Sequence, residues 1–201
     1  MTHEEIRQFM RSLRARLQSV KSFLDNEGYV FDYPEEALPG VSSNTEDVLL
    51  RITSAIGPIP LALVEFYREI GSVNFCGQHQ KWKKCEYPDP LVIYPPEAAI
   101  SELEEFLVDR TEYTEAYGGF RIPIAPDYYH KADVSGGMWY GVAVPAESAN
   151  PIVLEERHAL PFLEYLELNM EYGGFLGLER ETVNSSWPLE ELRKAARQTS
   201  E

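Results

Sequence analysis

Seven apolar side chains at helical spacing, Ile6, Phe9, Met10, Leu13, Leu17, Val20 and Leu24, constrain this chain more than any other feature it has. They recur across 2–26 with the period of an α-helix that has one apolar face. Thr2 and Glu5 stand at capping-box spacing, where a hydroxyl and a carboxylate satisfy two otherwise orphaned backbone donors, and Gly28 supplies a stop. Arg7, Arg11, Arg14 and Lys21, with Gln18 among them, line a second face. A basic amphipathic helix can lie on an anionic membrane. The rest of the chain is acidic and would be repelled by one. The expectation is therefore a stripe packed on the domain, with its cations facing acidic side chains.

With 201 residues, 44% of them hydrophobic, the chain can hold one full domain with a sizeable core and is too short for two. Its 33 acidic and 18 basic residues leave a net charge of −15. The acidity lies in two blocks: nine acids against two bases over 25–75, and 17 against five over 91–186. That balance excludes nucleic acid as the expected partner, because phosphate binding needs a basic surface. No apolar run approaches the ~20 residues of a membrane span, so no membrane association is expected and the cytoplasm is the expected compartment. Cys76 and Cys85 are the only thiols. Two are too few for a disulfide framework, and both are expected reduced and partly buried.

Further along, Thr45–Ile56 reads as a helix that ends at Gly57-Pro58, and Pro60 opens another through Ile70. Ser72–Gly77 and Leu91–Tyr94 read as strands, separated by an irregular lysine-bearing loop over 78–89. A helix is expected over Glu97–Asp109. Phe120–Ala125, Met138–Val144 and Pro151–Leu154 are short β-type runs divided by proline and glycine turns. A long helix closes the body over Ala159–Tyr172, and Trp187 through Arg197 can form a short terminal one. Helices first, then strands bracketing a helix, then a helix, is an α+β order and not alternating βαβ.

Three segments carry a resemblance. Ile59-Pro60, Leu63, Phe66, Tyr67, Ile70-Gly71 and Asn74-Phe75 form a proline, short helix, aromatic, glycine, strand sequence. Phe120-Arg121-Ile122-Pro123-Ile124-Ala125-Pro126-Asp127 is a strand and its following turn. Phe162-Leu163-Glu164-Tyr165-Leu166 lies in the closing helix. In order and spacing they resemble the SUKH superfamily, the Smi/Knr-like proteins, over about 45–178. The resemblance implies an α+β domain whose mainly antiparallel, curved sheet has helices packed on one side. Residues 1–44 would then be an added helix-and-loop extension and 179–201 a tail with a short helix. In bacterial members it implies immunity proteins that bind and neutralise polymorphic toxins, many of them nucleases; fungal members act as regulators through partners. The family shares no catalytic residues, so none is carried over. The long basic helix, the 78–89 loop and a central strand without an acidic residue depart from its pattern.

Enzyme signatures are missing from the sequence: it holds no P-loop, no GxSxG and no HExxH. Cys76, His79 and Cys85 lack the paired spacing of a zinc site, and Lys83-Lys84 beside them disfavours a cation, so no metal or other cofactor is expected. His130 and Asp133 are three apart and could form an acid–base pair, but no nucleophile accompanies them. The expectation is a binding protein and not an enzyme.

Acidic helix faces are more informative. Glu104, Glu105 and Asp109 fall opposite the apolar side of the Glu97–Asp109 helix, whose apolar residues include Leu107. On the closing helix Glu164, Glu167 and Glu171 form a ridge. A concentrated negative field speeds capture of a basic protein by about 10–1000-fold. A nuclease toxin domain is such a protein, since its cleft must itself attract phosphate. Interface energy usually rests on a few aromatic anchors, for which Tyr128, Tyr129 and Trp82 are the candidates.

Overall fold

The computed structural model describes residues 1–82, 85, 87–180 and 186–198. Lys83 and Lys84 lie outside the described residues.

The stripe at the N-terminus forms α1 (His3–Glu27), with the capping box between Thr2 and Glu5 in place and Gly28 in the left-handed conformation at its end. Ile6, Met10, Leu13, Leu17, Val20 and Leu24 are fully buried. Two elements cover them, α3 (Leu61–Glu69) and the terminal α7 (Leu189–Arg197). Two of the cations beside the stripe meet carboxylates of another element, Arg7 pairing with Glu65 at 3.3 Å and Arg11 with Glu69 at 3.4 Å, both on α3, while Lys21 pairs with Asp25 within α1. Arg16 ties α1 to two neighbours. Its Nη1 donates to Glu167 at 2.7 Å, and its Nε to the Ala196 carbonyl of α7 at 2.7 Å. The helix expected as part of an extension thus lies in the same apolar core as residues of the body and of the tail.

A second helix, α2 (Thr45–Ala55), leads to α3 through Gly57 and Pro58. The strands are short. β1 (Val30–Phe31) pairs antiparallel with β3 (Gly77–Gln78), and β2 (Val73–Asn74) with β4 (Val92–Ile93). The longest ladder joins β5 (Arg121–Ala125) to β6 (Tyr140–Ala143), with an irregularity between Pro123 and Ala125. These are three two-stranded antiparallel ladders. A backbone hydrogen bond from Tyr94 N to Ile124 O, 2.7 Å, links the end of β4 to β5. With helices around them the architecture is mixed helix and antiparallel sheet, in keeping with an α+β order.

Several boundaries depart from expectation. β1 was hidden between two turns. The strand expected over Ser72–Gly77 is divided: Val73–Asn74 serves β4 and Gly77 serves β1. Pro151–Leu154 contributes only isolated bridges, Leu154 to Gly141 and Ile152 to Pro161. The closing helix, α6 (Phe162–Glu171), starts three residues later than expected because Ala159 has a positive φ and Pro161 sets the first turn. The helix expected over Glu97–Asp109 begins as a 3-10 turn, Pro96–Ala98. It continues as α4 (Ala99–Val108), stops at Asp109, and is followed by α5 (Arg110–Tyr117).

Candidate binding surface

Asp109 makes the break. Its extended backbone (φ −140°, ψ 89°) cannot continue a helix, and its carboxylate accepts from the amides of Thr111 and Glu112 at 3.0 and 2.9 Å. An aspartate in this role satisfies amides that the first turn of α5 leaves unpaired. The α4–α5 corner is anchored from beneath. Leu103 and Tyr113 are buried, the Phe106 ring meets Tyr113 edge-on at 5.3 Å, and the Tyr113 hydroxyl donates to Glu102 at 3.1 Å. Burial pushes the Glu102 carboxyl up, against that hydrogen bond and with a further push from Glu105.

With the inner face so occupied, the corner turns Leu107 and Val108 outward. Val108 is 88% exposed and Leu107 44%. Sequence spacing put Leu107 on the packed side; the break at Asp109 leaves no neighbour to cover it. Leu50 on α2 is also exposed, at 66%, next to Arg51, which pairs with Glu104 at 2.8 Å across α2 and α4. Around the apolar tip stand the exposed residues Glu104, Glu105, Asp109, Glu112 and Glu115. The cations among them are Arg51, taken by Glu104, and Arg110, whose guanidinium lies over Phe106. An apolar centre within a polar rim is the common anatomy of a protein interface.

The other expected residues are distributed differently. On α6, Glu167 is neutralised by Arg16, and Glu164 accepts from the Asn150 side-chain amide at 2.6 Å. Glu171 is exposed, and its backbone carbonyl accepts from Arg193. The ridge is thus tied into the fold at two of its three positions. Tyr128 and Tyr129, half-buried, stack on each other at 4.1 Å, and Tyr87 meets both edge-on. Trp82 packs between His79 and Trp187, with ring centroids at 4.3 and 4.9 Å, in a cluster that includes Tyr29. None of these three aromatics lies on α4 or α5, and none stands free of its neighbours.

His130 has a carboxylate partner, but it is Asp127 and not Asp133. Asp127 is buried; one oxygen accepts from the Tyr129 and His130 amides, and the other faces His130 Nδ1. Asp133 caps the 3-10 turn His130–Ala132 in the left-handed conformation. The signal for the correct partner was present as the same i, i+3 spacing in the other direction. The His130 ring opens on a cleft of about 510 Å3 lined also by Cys76, Tyr94 and Trp139. Burial pushes the Cys76 thiol up to about 11, so it is protonated at neutral pH and no nucleophile. On the same cleft, the Lys131 side chain is shielded from solvent, paired with Asp89 at 2.8 Å and set over the Tyr140 ring. Burial acts against its charge, but Asp89 prevails and the pKa is raised.

Among the described residues no group of three or more His, Cys, Asp or Glu side chains could hold a metal, and no helix is long and apolar enough to cross a membrane. No family model matches this chain, and neither the curated proteins nor the solved structures contain a match to it.

Proposed function

We propose that this chain is a protein-binding domain whose α4–α5 corner captures a basic protein, in the manner of a SUKH-type immunity protein that neutralises a toxin domain stoichiometrically in the cytoplasm. The observation that carries the reading is the exposed Leu107–Val108 pair inside a rim of carboxylates. The apolar pair supplies area to bury, and the acids supply attraction and orientation. Net charge of −15 extends that attraction over the whole molecule. The three segments quoted for the SUKH resemblance support the fold type, and the Tyr94–Ile124 hydrogen bond supports reading the β2–β4 and β5–β6 ladders as parts of one curved sheet.

The test is capture from the native cells by the wild-type chain and by a Glu105→Lys, Glu112→Lys, Val108→Asp variant. The wild type should retain a basic protein in stoichiometric amount at low salt. The variant should associate with it at least about tenfold more slowly. Equal capture by a variant with an intact fold would contradict the reading.

A further inference from the structure

The cleft of about 510 Å3 on which His130 opens has no residue of α4 or α5 in its lining. Three pieces of the sheet region meet there. Tyr94 follows β4 and is tied to β5 by the bond from its amide to the Ile124 carbonyl, Trp139 leads into β6, and the turn after β5 supplies His130.

Asp127 fixes the His130 ring. The Asp127 side chain is 5% exposed, one of its oxygens accepts from the Tyr129 and His130 amides at 2.7 and 3.2 Å, and the other faces Nδ1. Gly137 packs so closely on this carboxyl that a Cβ there would overlap it. A carboxylate only accepts, so Nδ1 carries the proton and Nε2 is the polar atom the ring has left to offer. Nε2 has no hydrogen-bond partner among the described residues, and the side chain that carries it is half exposed. One nitrogen is therefore held by a buried group while the other is presented to the cleft.

The walls are aromatic, and that is a separate observation. Trp139 lies across Gly141, where a Cβ would run into its ring. Tyr33 lines the same space and is exposed. Burial pushes the Tyr94 hydroxyl up, helped by Cys76 and Asp127 and opposed by Lys131, so it stays a phenol that can donate or accept. Flat apolar walls with a few placed polar atoms are the usual make-up of a small-ligand site.

Charge here does not suit an anion. His130 and Asp127 are at most neutral as a pair, Lys131 is spent on Asp89, and Glu36 adds a further carboxylate. Nε2 accepts when the ring is neutral and donates when it is charged, and a hydroxyl answers both.

We infer that this cleft binds a neutral hydroxylated aromatic ring, a phenol, stacked on Trp139 with its hydroxyl bonded to His130 Nε2. An aromatic ring packs on an indole in offset or edge-on geometry and gains more than its area alone. Such a ring can belong to a small molecule or to a tyrosine side chain of a bound chain. The inference does not depend on the α4–α5 reading.

The experiment is a titration of the full chain, followed by NMR at His130 Nε2 and at the Trp139 indole N–H. Three probes serve: 4-ethylphenol, N-acetyltyrosinamide, and 4-ethylanisole, in which a methyl replaces the hydroxyl hydrogen. At least one phenol should shift both signals with a Kd of about 1 mM or tighter. The anisole should bind at least about tenfold more weakly. His130→Asn, whose amide can take the place of Nδ1 beside Asp127 and leaves nothing at Nε2, should weaken the phenol about tenfold, read at Trp139. Trp139→Leu should weaken it as well, read at His130, and serves if the first variant fails to fold. Tighter binding of 4-ethylphenol identifies a small-molecule site, and tighter binding of the tyrosinamide a side-chain pocket. No shift with either phenol, equal binding of the anisole, or indifference to both substitutions would overturn the inference and leave the α4–α5 reading untouched.

Discussion

Glu65 is buried and meets three basic side chains: His3 at 2.9 Å, Arg7 at 3.3 Å and Arg68 at 3.4 Å. Burial alone would raise its pKa, but the three hydrogen bonds together outweigh burial and hold the carboxyl below its ordinary value. As the pH falls, the unfolded chain therefore takes up this proton first. The stabilisation is complete above the unfolded value of about 4.3 and drains away as the pH drops toward the lower native one. Glu65→Gln should cost about 2 kcal/mol at neutral pH and flatten the fall of Tm with acid below about pH 5. A variant as acid-sensitive as the wild type would show that other carboxylates govern the transition. Nothing local in the sequence marks Glu65, because its partners on α1 are about 60 positions away and meet it only once α1 lies on α3. Asp127 could have been found, since its spacing to His130 equals that of Asp133. What decided between them was which carboxylate the Pro126 turn buries.

At the scale of elements, legibility followed how completely one signal fixed both ends. For α1 the stripe, the capping box and Gly28 agree, and the observed bounds His3–Glu27 fall within a residue of those expected. Leu17 lies in the middle of that stripe with no exposed surface. Leu17→Ala should cost about 2–5 kcal/mol in chemical denaturation; a loss below about 1 kcal/mol would mean that α1 is not a core element. The corner between α4 and α5 was illegible for the opposite reason. Asp109 continues an acidic helical face in the sequence, and only its backbone dihedrals reveal a cap. Losing that cap by Asp109→Ala should cost about 1 kcal/mol and fray the first turn of α5, seen as faster amide exchange at Thr111 and Glu112. Unchanged exchange there would place the origin of the corner elsewhere. The exposure of Leu107 and Val108 follows from this break, which is why they were not among the expected residues while Glu104, Glu105 and Asp109 beside them were.

Over the whole molecule, one apolar core runs from Ile6 on α1 to Ala196 on α7 and includes the strands between them. The acidic excess is therefore displayed on a framework in which the cations of α1 are largely spent: Arg7, Arg11 and Arg16 all pair with carboxylates. Among the described residues, the exposed carboxylates Glu105, Asp109, Glu112 and Glu115 at the α4–α5 corner are held in no ion pair. Order and spacing of apolar punctuation made the mixed helix-and-sheet order legible, whereas the corner surface arises from where α4 stops. The most direct measurement of the proposed interface is the amide-exchange footprint of the captured basic partner on the full chain. Protection centred on 104–115 and extending to Leu50 is the result expected. Protection confined to α6 and the Tyr128–Tyr129 turn, with α4 and α5 exchanging as in the free chain, would contradict it.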